Sequence, residues 1–527
     1  MKKIPETQTT TEISWQKRAE KAEAQVEILM HEIEYMKAQM RLMSAKRYGS
    51  SSEKTNENQL RLFDGFNEVE ATAEPFAPEP EVDLITVPEH KRAKKKSKKN
   101  NNLDGLPENI IEYHLPEEEM ACSCCGHERH VINQEITREL HYVPAEISVN
   151  VHVQNIYGCR NCESKADGSQ SMIIFAPKPE RAFAGSIASP SVAAHIIDEK
   201  YVMGVPLYRQ EKQWARRGVN LSRQNMANWV IHAANNWFEP IYERMKETLL
   251  AEDVIHADET GLQVLQEPGK KAESKSYMWL YRSGRYGPGA VLYEYQPSRA
   301  AEHPIKFLSG FKGYLITDGY AAYGKVPDVT NAGCWAHARR KFDDAIKAAG
   351  GKDKNPKARE GLDFCNKLFH IEKTLRDSTP EKRYEERLLH SKPVLEAFLV
   401  WLQEIKEISL PQSHLGKAID YCLKQWESLN IFLLDGRIEI DNNRAERSIR
   451  PFVMARKNFM FCNTPKGAKS STITFSLIES AKENGLNPYE YLKYLLEELP
   501  STSTKDLDKF LPWSKEIPEH VKTPKKK

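Results

Sequence analysis

The sequence predicts a multidomain α+β protein. The chain has 527 residues, which is enough for several domains. Apolar residues recur at helical spacing near the N-terminus and in two later regions, whereas residues 251–345 contain short apolar runs of strand type. Hydrophobic residues make up 40% and charged residues 28% of the chain, which indicates folded domains joined by polar segments.

Residues 12–48 are predicted to form one helix with a narrow apolar stripe. The positions that step by three and four are Ala19, Ala22, Val26, Leu29, Ile33, Met36, Met40 and Met43. This heptad spacing favours a coiled coil and self-association, although a single helix packed on its own chain has the same pattern. Methionine-rich seams specify partner number poorly, so the oligomeric order stays open.

Residues 49–105 read as a polar linker with two opposite charge runs. Residues 64–83 hold seven acidic and no basic residues, and residues 91–99 ("KRAKKKSKK") hold seven basic and no acidic residues. Such stretches cannot bury enough apolar surface to fold alone. The basic run, with Lys94, Lys95 and Lys96, is either a solvated linker or a strap that binds phosphates.

Five of the nine cysteines cluster in residues 106–178, which also contain strand-like runs. Cys122 with Cys125, and Cys159 with Cys162, form two Cys-x-x-Cys pairs. Two such pairs predict a structural tetrahedral Zn²⁺ site in a small β module. Cys124 or a nearby histidine could alter that ligand set, and unligated buried cysteines are the alternative. Metal-bound rather than disulfide-linked cysteines predict a cytoplasmic protein.

Residues 185–250 are predicted to be helical, with a helix-turn-helix-like arrangement inside them. The run "PLYRQEKQWARRG" ends at Gly218, a residue type that stops helices, and Ser222 can cap the helix that follows. The second helix would present Arg223, Gln224, Asn225 and Asn228 to a DNA groove. An ordinary helical hairpin shares these features.

Three carboxylates carry the strongest chemical signal. Asp258 in "VIHADETGLQV" and Asp318 in "GYLITDGYAAY" follow apolar strand-like runs, and Glu446 lies on a basic helix-like segment far downstream. Alternation along the first strand places His256 and Asp258 on one face and Glu259 on the other. Mg²⁺ prefers oxygen ligands, and a pair of such ions suits phosphodiester chemistry. Each acid taken singly could instead be structural.

The surroundings of Glu446 are rich in cations. Arg450 follows one turn later on the same face, and Arg447, Arg456 and Lys457 are nearby in sequence. Asp441 is expected to cap a helix that begins at Asn442, after a short strand in "RIEIDNN". In "CWAHARRKF", Cys334 and His337 could bind a metal, but His337 is favoured as an active-site polar group.

These motifs, in this order, resemble bacterial transposases of the insertion sequence 66 family. The resemblance includes "KRYGSSSEK", the paired cysteines, "HADET", "TDGYAAY", "CWAHARRKF", "DNNRAERSIRPFVMARKN" and "SLIESAKENGLNPYEYL". It departs at Glu259, where the family usually has aspartate, and at Tyr48, Met203 and Ala455. None of these departures removes one of the three acids.

The resemblance implies a ribonuclease-H-like α/β core of the DDE type with a helical insertion. Asp258, Asp318 and Glu446 would be the catalytic acids and would hold two Mg²⁺ ions, which Mn²⁺ could replace. The implied function is strand cleavage and strand transfer at the ends of an insertion sequence in double-stranded DNA. Small companion proteins are a further expectation. A structure-selective nuclease and a non-catalytic zinc DNA-binding regulator remain alternatives.

The resulting domain plan divides the chain into eight segments. They are a coiled-coil helix (12–48), the linker (49–105), the zinc module (106–178), the helix-turn-helix-like region (185–250), a first core part (251–345), a helical insertion (346–435), a second core part with Glu446 (436–485) and a C-terminal helix and tail (486–527). The sequence shows no apolar run near the ~20 residues of a membrane span and no signal peptide.

Overall fold

The computed structural model describes residues 147–157, 174–351, 354–459, 462–502 and 506–524, together with Met30, 85–86 and 135–136. The contacts divide the chain into two units, of which one comprises residues 55–178. Its described part contains two short antiparallel pairs, β1 (Ile85–Thr86) with β2 (Glu135–Ile136) and β3 (Ile156–Tyr157) with β4 (Ile174–Phe175). The predicted coiled-coil stripe, the four zinc-ligand cysteines and Lys94 to Lys96 lie outside the described residues.

The second unit comprises residues 1–54 and 179–527. Its described part contains a helical region before the central sheet. Helices α1 (Pro190–Tyr201), α2 (Leu207–Arg216) and α3 (Arg223–His232) follow one another through short turns. Gly218 lies between α2 and α3 with φ of +81°, a left-handed conformation that glycine adopts without strain. The Ser222 hydroxyl accepts a hydrogen bond from the Asn225 backbone N–H at 3.2 Å, so the predicted helix cap is confirmed.

Helix α3 runs without a break through a π-helical segment (Ala233–Phe238) into α4 (Glu239–Leu250). The Glu239 N–H bonds to the carbonyl of Ala234, five residues earlier. Pro240 explains this widened turn, because proline cannot donate to the carbonyl four residues back and its ring would clash with it. The same arrangement recurs where the π segment Arg387–Ser391 precedes Pro393.

A mixed five-stranded sheet forms the centre of this unit. Its strands are β5 (Val254–Gln263), β6 (Lys275–Ser283), β7 (Val291–Gln296), β8 (Tyr314–Ile316) and β9 (Thr330–Ala332). The spatial order is β7-β6-β5-β8-β9. The pairs β5–β6 and β6–β7 are antiparallel, whereas β5–β8 and β8–β9 are parallel. The strand-like runs of residues 251–345 therefore form the five strands of one sheet.

Helices cover the sheet and follow it in the chain. Helix α5 (Glu302–Phe307) connects β7 to β8, and α6 (Trp335–Ala349) follows β9. The helical stretch after α6 comprises α7 (Pro356–Thr374), α8 (Pro380–Glu386), α9 (Lys392–Ile408), α10 (His414–Lys424) and α11 (Trp426–Asn430). It shares a hydrophobic core with α6 and with Ile316 and Ala332 of the parallel strands.

The last helices are α12 (Asn443–Phe459), α13 (Pro465–Glu483) and α14 (Pro488–Glu498). Helix α13 is almost entirely buried and lies along β7. Its Ser476 and Ser480 hydroxyls accept hydrogen bonds from the backbone N–H groups of Tyr293 and Val291 at 2.9 and 2.8 Å. These serines satisfy edge-strand groups that would otherwise be free to pair with another chain.

The prediction of a strand in "RIEIDNN" (residues 437–443) is wrong, because residues 435–442 form turns and bends. Arg387, which is fully buried, donates to the carbonyls of Phe432, Asp435 and Ile438 at 2.7 to 2.9 Å. The Ile438 carbonyl, which lies within the predicted strand, is therefore committed to a side chain instead of a neighbouring strand. The following helix begins at Asn443, one residue later than expected, and the Asp441 carboxylate accepts its first N–H at 3.0 Å.

Candidate active site

Asp258 and Asp318 lie side by side because their strands are parallel neighbours. The register pairs His256 with Ile316, and each acid lies two residues beyond that pair. Adjacent strands are about 4.8 Å apart, so the two carboxylates share one edge of the sheet. Asp318 also shapes its own turn, since its Oδ1 accepts the Tyr320 N–H at 2.9 Å and Gly319 has φ of +90°.

Glu446 lies near Asp258 and Asp318 although it belongs to a helix far downstream in the sequence. It lies in the first turn of α12, which packs on β5. Its Oε2 is 3.6 Å from Nη2 of Arg340, and its Oε1 is 3.9 Å from Nε2 of His337. Oε1 is buried and accepts no hydrogen bond within the described part of the chain. A buried carboxylate oxygen that accepts no hydrogen bond is suited to binding a cation.

The three acids form one electrostatic cluster. Burial raises the pKa of Asp258 well above its ordinary value of 3.8, and the carboxylates of Glu259, Asp318 and Glu446 act in the same direction. The Glu259 N–H, which donates to Asp258 Oδ1 at 2.9 Å, opposes this rise in the pKa. Negative charge concentrated in a half-buried site is costly without a compensating cation.

His337 lies in the first turn of α6, directly after β9. Burial lowers its pKa, and Arg340 lowers it further, which favours the neutral imidazole. Ligand atoms of His337, Cys334 and Glu446 lie within 4.8 Å of one another. Burial raises the pKa of the Cys334 thiol to about 12, and its Sγ already accepts the Asn442 N–H at 3.2 Å. The Cys334 thiol is thus engaged by a backbone N–H, and the role of His337 as an active-site group stays a prediction.

Glu259 faces away from the three acids, as strand alternation predicted. Its side chain is only 2% exposed. Oε1 accepts hydrogen bonds from Nε of Arg299 at 2.9 Å and from its Nη2, and Oε2 accepts the Tyr323 hydroxyl at 2.5 Å. Glu259 is therefore fully engaged on the opposite face. Its partners are 40 and 64 residues away in sequence. The residues around Glu259 therefore gave no signal from which these partners could be predicted.

Asn442 ties the Glu446 helix to β5. Its Oδ1 is 3.0 Å from His256 Nδ1, and its Nδ2 donates to the Ala257 carbonyl at 2.8 Å. The other ring nitrogen of His256 is 2.8 Å from Glu439 Oε2. Burial opposes ionisation of Glu439, but His256 and Arg444 outweigh it and hold its pKa well below the ordinary value. This role of Asn442 was not predicted, although the sequence has two adjacent asparagines before the helix.

The remaining predicted residues fall into three groups. Arg450 is partly buried one turn after Glu446, and Arg456 is partly buried with Nη1 3.4 Å from the Thr260 hydroxyl. Arg447 and Lys457 are exposed on α12. Exposed side chains also cover the start of α3, namely Arg223, Gln224, Asn225 and Asn228. The buried Met226 and Val230 hold that helix from its other face.

Comparison with known protein families adds a separate line of evidence. Residues 185–470 match the family model described as Transposase IS66 family. The chain belongs to this family. Further matches are to the IS66 C-terminal element (476–513), to the zinc-finger binding domain of transposase IS66 (119–163) and to Transposase C of IS166 homeodomain (35–111). The resemblance noted in the sequence is confirmed, and all four predicted zinc ligands fall within the zinc-finger match.

Two curated relatives from Sinorhizobium fredii (strain NBRC 101917 / NGR234) are similar over most of the chain. The uncharacterized protein y4jD is 35% identical over 431 residues, which cover 78% of this chain and 82% of the relative. The uncharacterized protein y4qI is 32% identical over 418 residues, which cover 76% and 74%. Membership in the IS66 family supports a transposase function. Among the described residues, no helix is both long and apolar enough to cross a membrane.

Proposed function

We propose that this chain is a DDE-type DNA transposase that binds the ends of a bacterial insertion sequence and catalyses strand cleavage and strand transfer. The observation that carries this proposal is the meeting of Asp258, Asp318 and Glu446 in one electrostatic cluster, although 128 residues separate the last two in the sequence. A phosphodiester-cutting site needs such a cluster of oxygen ligands.

The sheet supports a ribonuclease-H-like core. Three antiparallel strands are followed by two parallel ones, in the order β7-β6-β5-β8-β9. The first acid lies on the central strand, the second follows its parallel neighbour, and the third begins a helix that packs across the central strand. The helices α7 to α11 are inserted between the second and third acids, as the family resemblance implies.

The donor set fits a hard divalent cation. Asp258, Asp318 and Glu446 would hold it, and the buried Oε1 of Glu446 and the raised pKa of Asp258 favour such a ligand. Two bound Mg²⁺ ions, or Mn²⁺ in their place, would activate the attacking oxygen and stabilise the charge that develops at phosphorus. The neutral His337 can accept a proton or a hydrogen bond beside Glu446, and Arg340 can neutralise a phosphate.

Other parts of the chain would recognise the DNA and pair the protomers. We assign double-stranded DNA contacts to Arg223, Gln224, Asn225 and Asn228 at the exposed start of α3, and to exposed cations of α12. The zinc module, with Zn²⁺ on Cys122, Cys125, Cys159 and Cys162, and the Lys94–Lys96 region would add DNA contacts. The N-terminal helix would join two protomers so that two ends are processed together. Small companion proteins and a cytoplasmic location complete the proposal.

The central test is metal-dependent cleavage of a labelled duplex that carries an end of the element. We expect Asp258→Asn, Asp318→Asn and Glu446→Gln each to abolish cleavage in Mg²⁺ while DNA binding is retained. Asp253→Asn is the matched control, because Asp253 is exposed just before β5 and pairs with Arg437. An Asp258→Asn protein that cuts as well as the parent would refute the assignment of the acids.

Two further measurements separate the alternative functions. Joining of pre-cut ends to a target duplex distinguishes a transposase from a structure-selective nuclease, which would cut but not join. Metal-dependent nicking by itself excludes a non-catalytic regulator. Zinc content, measured by mass spectrometry on the full chain and on a Cys122→Ser variant, tests the zinc assignment.

A further inference from the structure

Arg299 pairs with Glu259 on the face of β5 opposite to Asp258 and also lies within electrostatic range of Asp318, an arrangement that metal binding does not explain. It follows β7, whose last residue, Gln296, aligns through Tyr277 with Gly261. Arg299 is therefore near the end of the sheet towards which the chain leaves Asp258. Its side chain is 40% exposed, whereas its partner Glu259 is 2% exposed. The ion pair thus has one buried end and one end that faces solvent.

The guanidinium is held in a fixed plane. Its carbon lies 3.7 Å from the centre of the Tyr320 ring, and the Tyr320 hydroxyl donates to the Arg299 carbonyl at 2.8 Å. The bonds to Glu259 use Nε and Nη2, and a guanidinium has five N–H donors in a rigid fork. Its solvent-facing edge therefore keeps donors oriented outward without further loss of side-chain freedom.

The same tyrosine connects this cation to a candidate catalytic acid. The Tyr320 backbone N–H donates to Asp318 Oδ1 at 2.9 Å. Arg299 and Asp318 are thus positioned by one residue, and they lie within electrostatic range of each other. A polyanionic substrate that approaches three carboxylates needs cations at the rim of the site, and phosphate is one of the groups that a planar guanidinium binds through two parallel hydrogen bonds.

We propose that Arg299 contacts a DNA phosphate next to the position of cleavage, and that Glu259 and Tyr320 hold it in place for this contact. The proposal rests on the proposed function, because it places DNA at the acid cluster. A purely structural role would require only that Arg299 neutralise Glu259. The two roles differ in what happens when both charges are removed together.

The experiment measures the salt dependence of DNA binding by the full chain. Fluorescence anisotropy of a short labelled duplex is recorded from ~50 to ~200 mM salt for the parent, Arg299→Gln, Glu259→Gln and the double variant. Loss of one phosphate contact should make the slope of log K against log salt shallower by about 0.9 and weaken binding by about tenfold. We expect this change in Arg299→Gln and in the double variant. Glu259→Gln should keep the parental slope, because the glutamine oxygen can still accept from Arg299 and hold it in place.

Arg285→Gln is the matched control. Arg285 also pairs with an acid, Asp377 at 4.0 Å, and lies against a tyrosine ring, Tyr286 at 5.9 Å. It follows β6 beyond the pair Ser283–Ile255, at the end of the sheet opposite to Arg299. Its replacement should leave the salt slope unchanged, so a general effect of removing a partly exposed, ion-paired arginine can be recognised.

The double variant decides the outcome, also if Arg299→Gln does not fold, because it leaves no unpaired buried charge. A double variant with the parental slope and affinity would overturn the proposal and leave Arg299 a structural partner of Glu259. Such a result alongside normal Mg²⁺-dependent cleavage by the parent would leave the proposed function intact. Cleavage by Asp258→Asn would instead count against the proposed function, whatever the slope.

Discussion

Replacing Asn442 by alanine is expected to loosen the helix that carries Glu446. Asn442 is 1% exposed and joins α12 to β5 through His256 and the Ala257 carbonyl. The substitution deletes both side-chain hydrogen bonds but keeps the backbone N–H that bonds to Cys334. The helix therefore stays attached to α6 while its attachment to the central strand is lost.

The magnitude follows from the groups that lose a partner. His256 is 0% exposed, so its Nδ1 and the Ala257 carbonyl would both be left without a hydrogen bond in the interior. Each unsatisfied buried group costs about 1–3 kcal/mol. Loss of the two bonds should therefore lower the free energy of unfolding by ~2–6 kcal/mol, unless a water enters the space.

The neighbouring asparagine provides the control. Among the described residues, the Asn443 side chain bonds only to Asp441 Oδ2, at 2.8 Å, in a partly buried position. The N-cap bond to its backbone does not depend on the side chain. Asn443→Ala should cost less than about 1 kcal/mol. Thermal unfolding and amide hydrogen exchange in the first turns of α12 report on both variants. Equal destabilisation of the two variants would refute the special role assigned to Asn442.

Three other perturbations have defined outcomes. Burial raises the pKa of Glu294 from 4.5 to about 7. The protonated carboxyl therefore contributes ~3 kcal/mol to the free energy of unfolding below pH 4.5, and this contribution is lost as the pH rises through 7. Glu294→Gln should make the melting temperature less dependent on pH over this range, and an unchanged profile would contradict this. Arg387→Ala leaves Glu372 paired only with Arg383 among the described residues and removes the donor to the carbonyls of Phe432, Asp435 and Ile438. It should cost at least about 3 kcal/mol in urea unfolding, whereas the exposed Lys424→Ala should cost little. Gly436→Ala would place a Cβ 1.8 Å from the Pro380 carbonyl oxygen and should lower soluble yield and melting temperature, whereas Gly324→Ala, which meets open space, should not.

Features written into short stretches of sequence were predictable. Alternating apolar residues identified β5 and placed Asp258 and Glu259 on opposite faces, and the Gly218–Ser222 spacing identified the turn and cap before α3. Local patterns succeed here because the physical cause, a turn or a strand face, acts within a few residues.

Features that depend on distant partners were not predictable. The partners that hold Glu259, Arg299 and Tyr323, are 40 and 64 residues away in sequence. Asn442 was expected only as the first residue of a helix, although its side chain bonds to a strand 185 residues earlier. The wrong prediction of a strand in residues 437–443 has the same origin. Its apolar alternation is real, since Ile438 and Ile440 are buried, but the Ile438 carbonyl that a strand would need is taken by Arg387.

Helix α3, the π segment and α4 form one continuous helical stretch, so its length sets the orientation of α3 relative to the core. Helix α3 carries the proposed DNA-contacting residues, and α4 is anchored in the core by Ile241, Met245 and Leu249. Each residue advances a helix by about 100°, so removing one residue from Ala233–Phe238 would turn the reading face by roughly a quarter of a circle without touching the acids. Insertions or deletions at this point could thus change which stretch of DNA is presented for cutting while the chemistry stays the same.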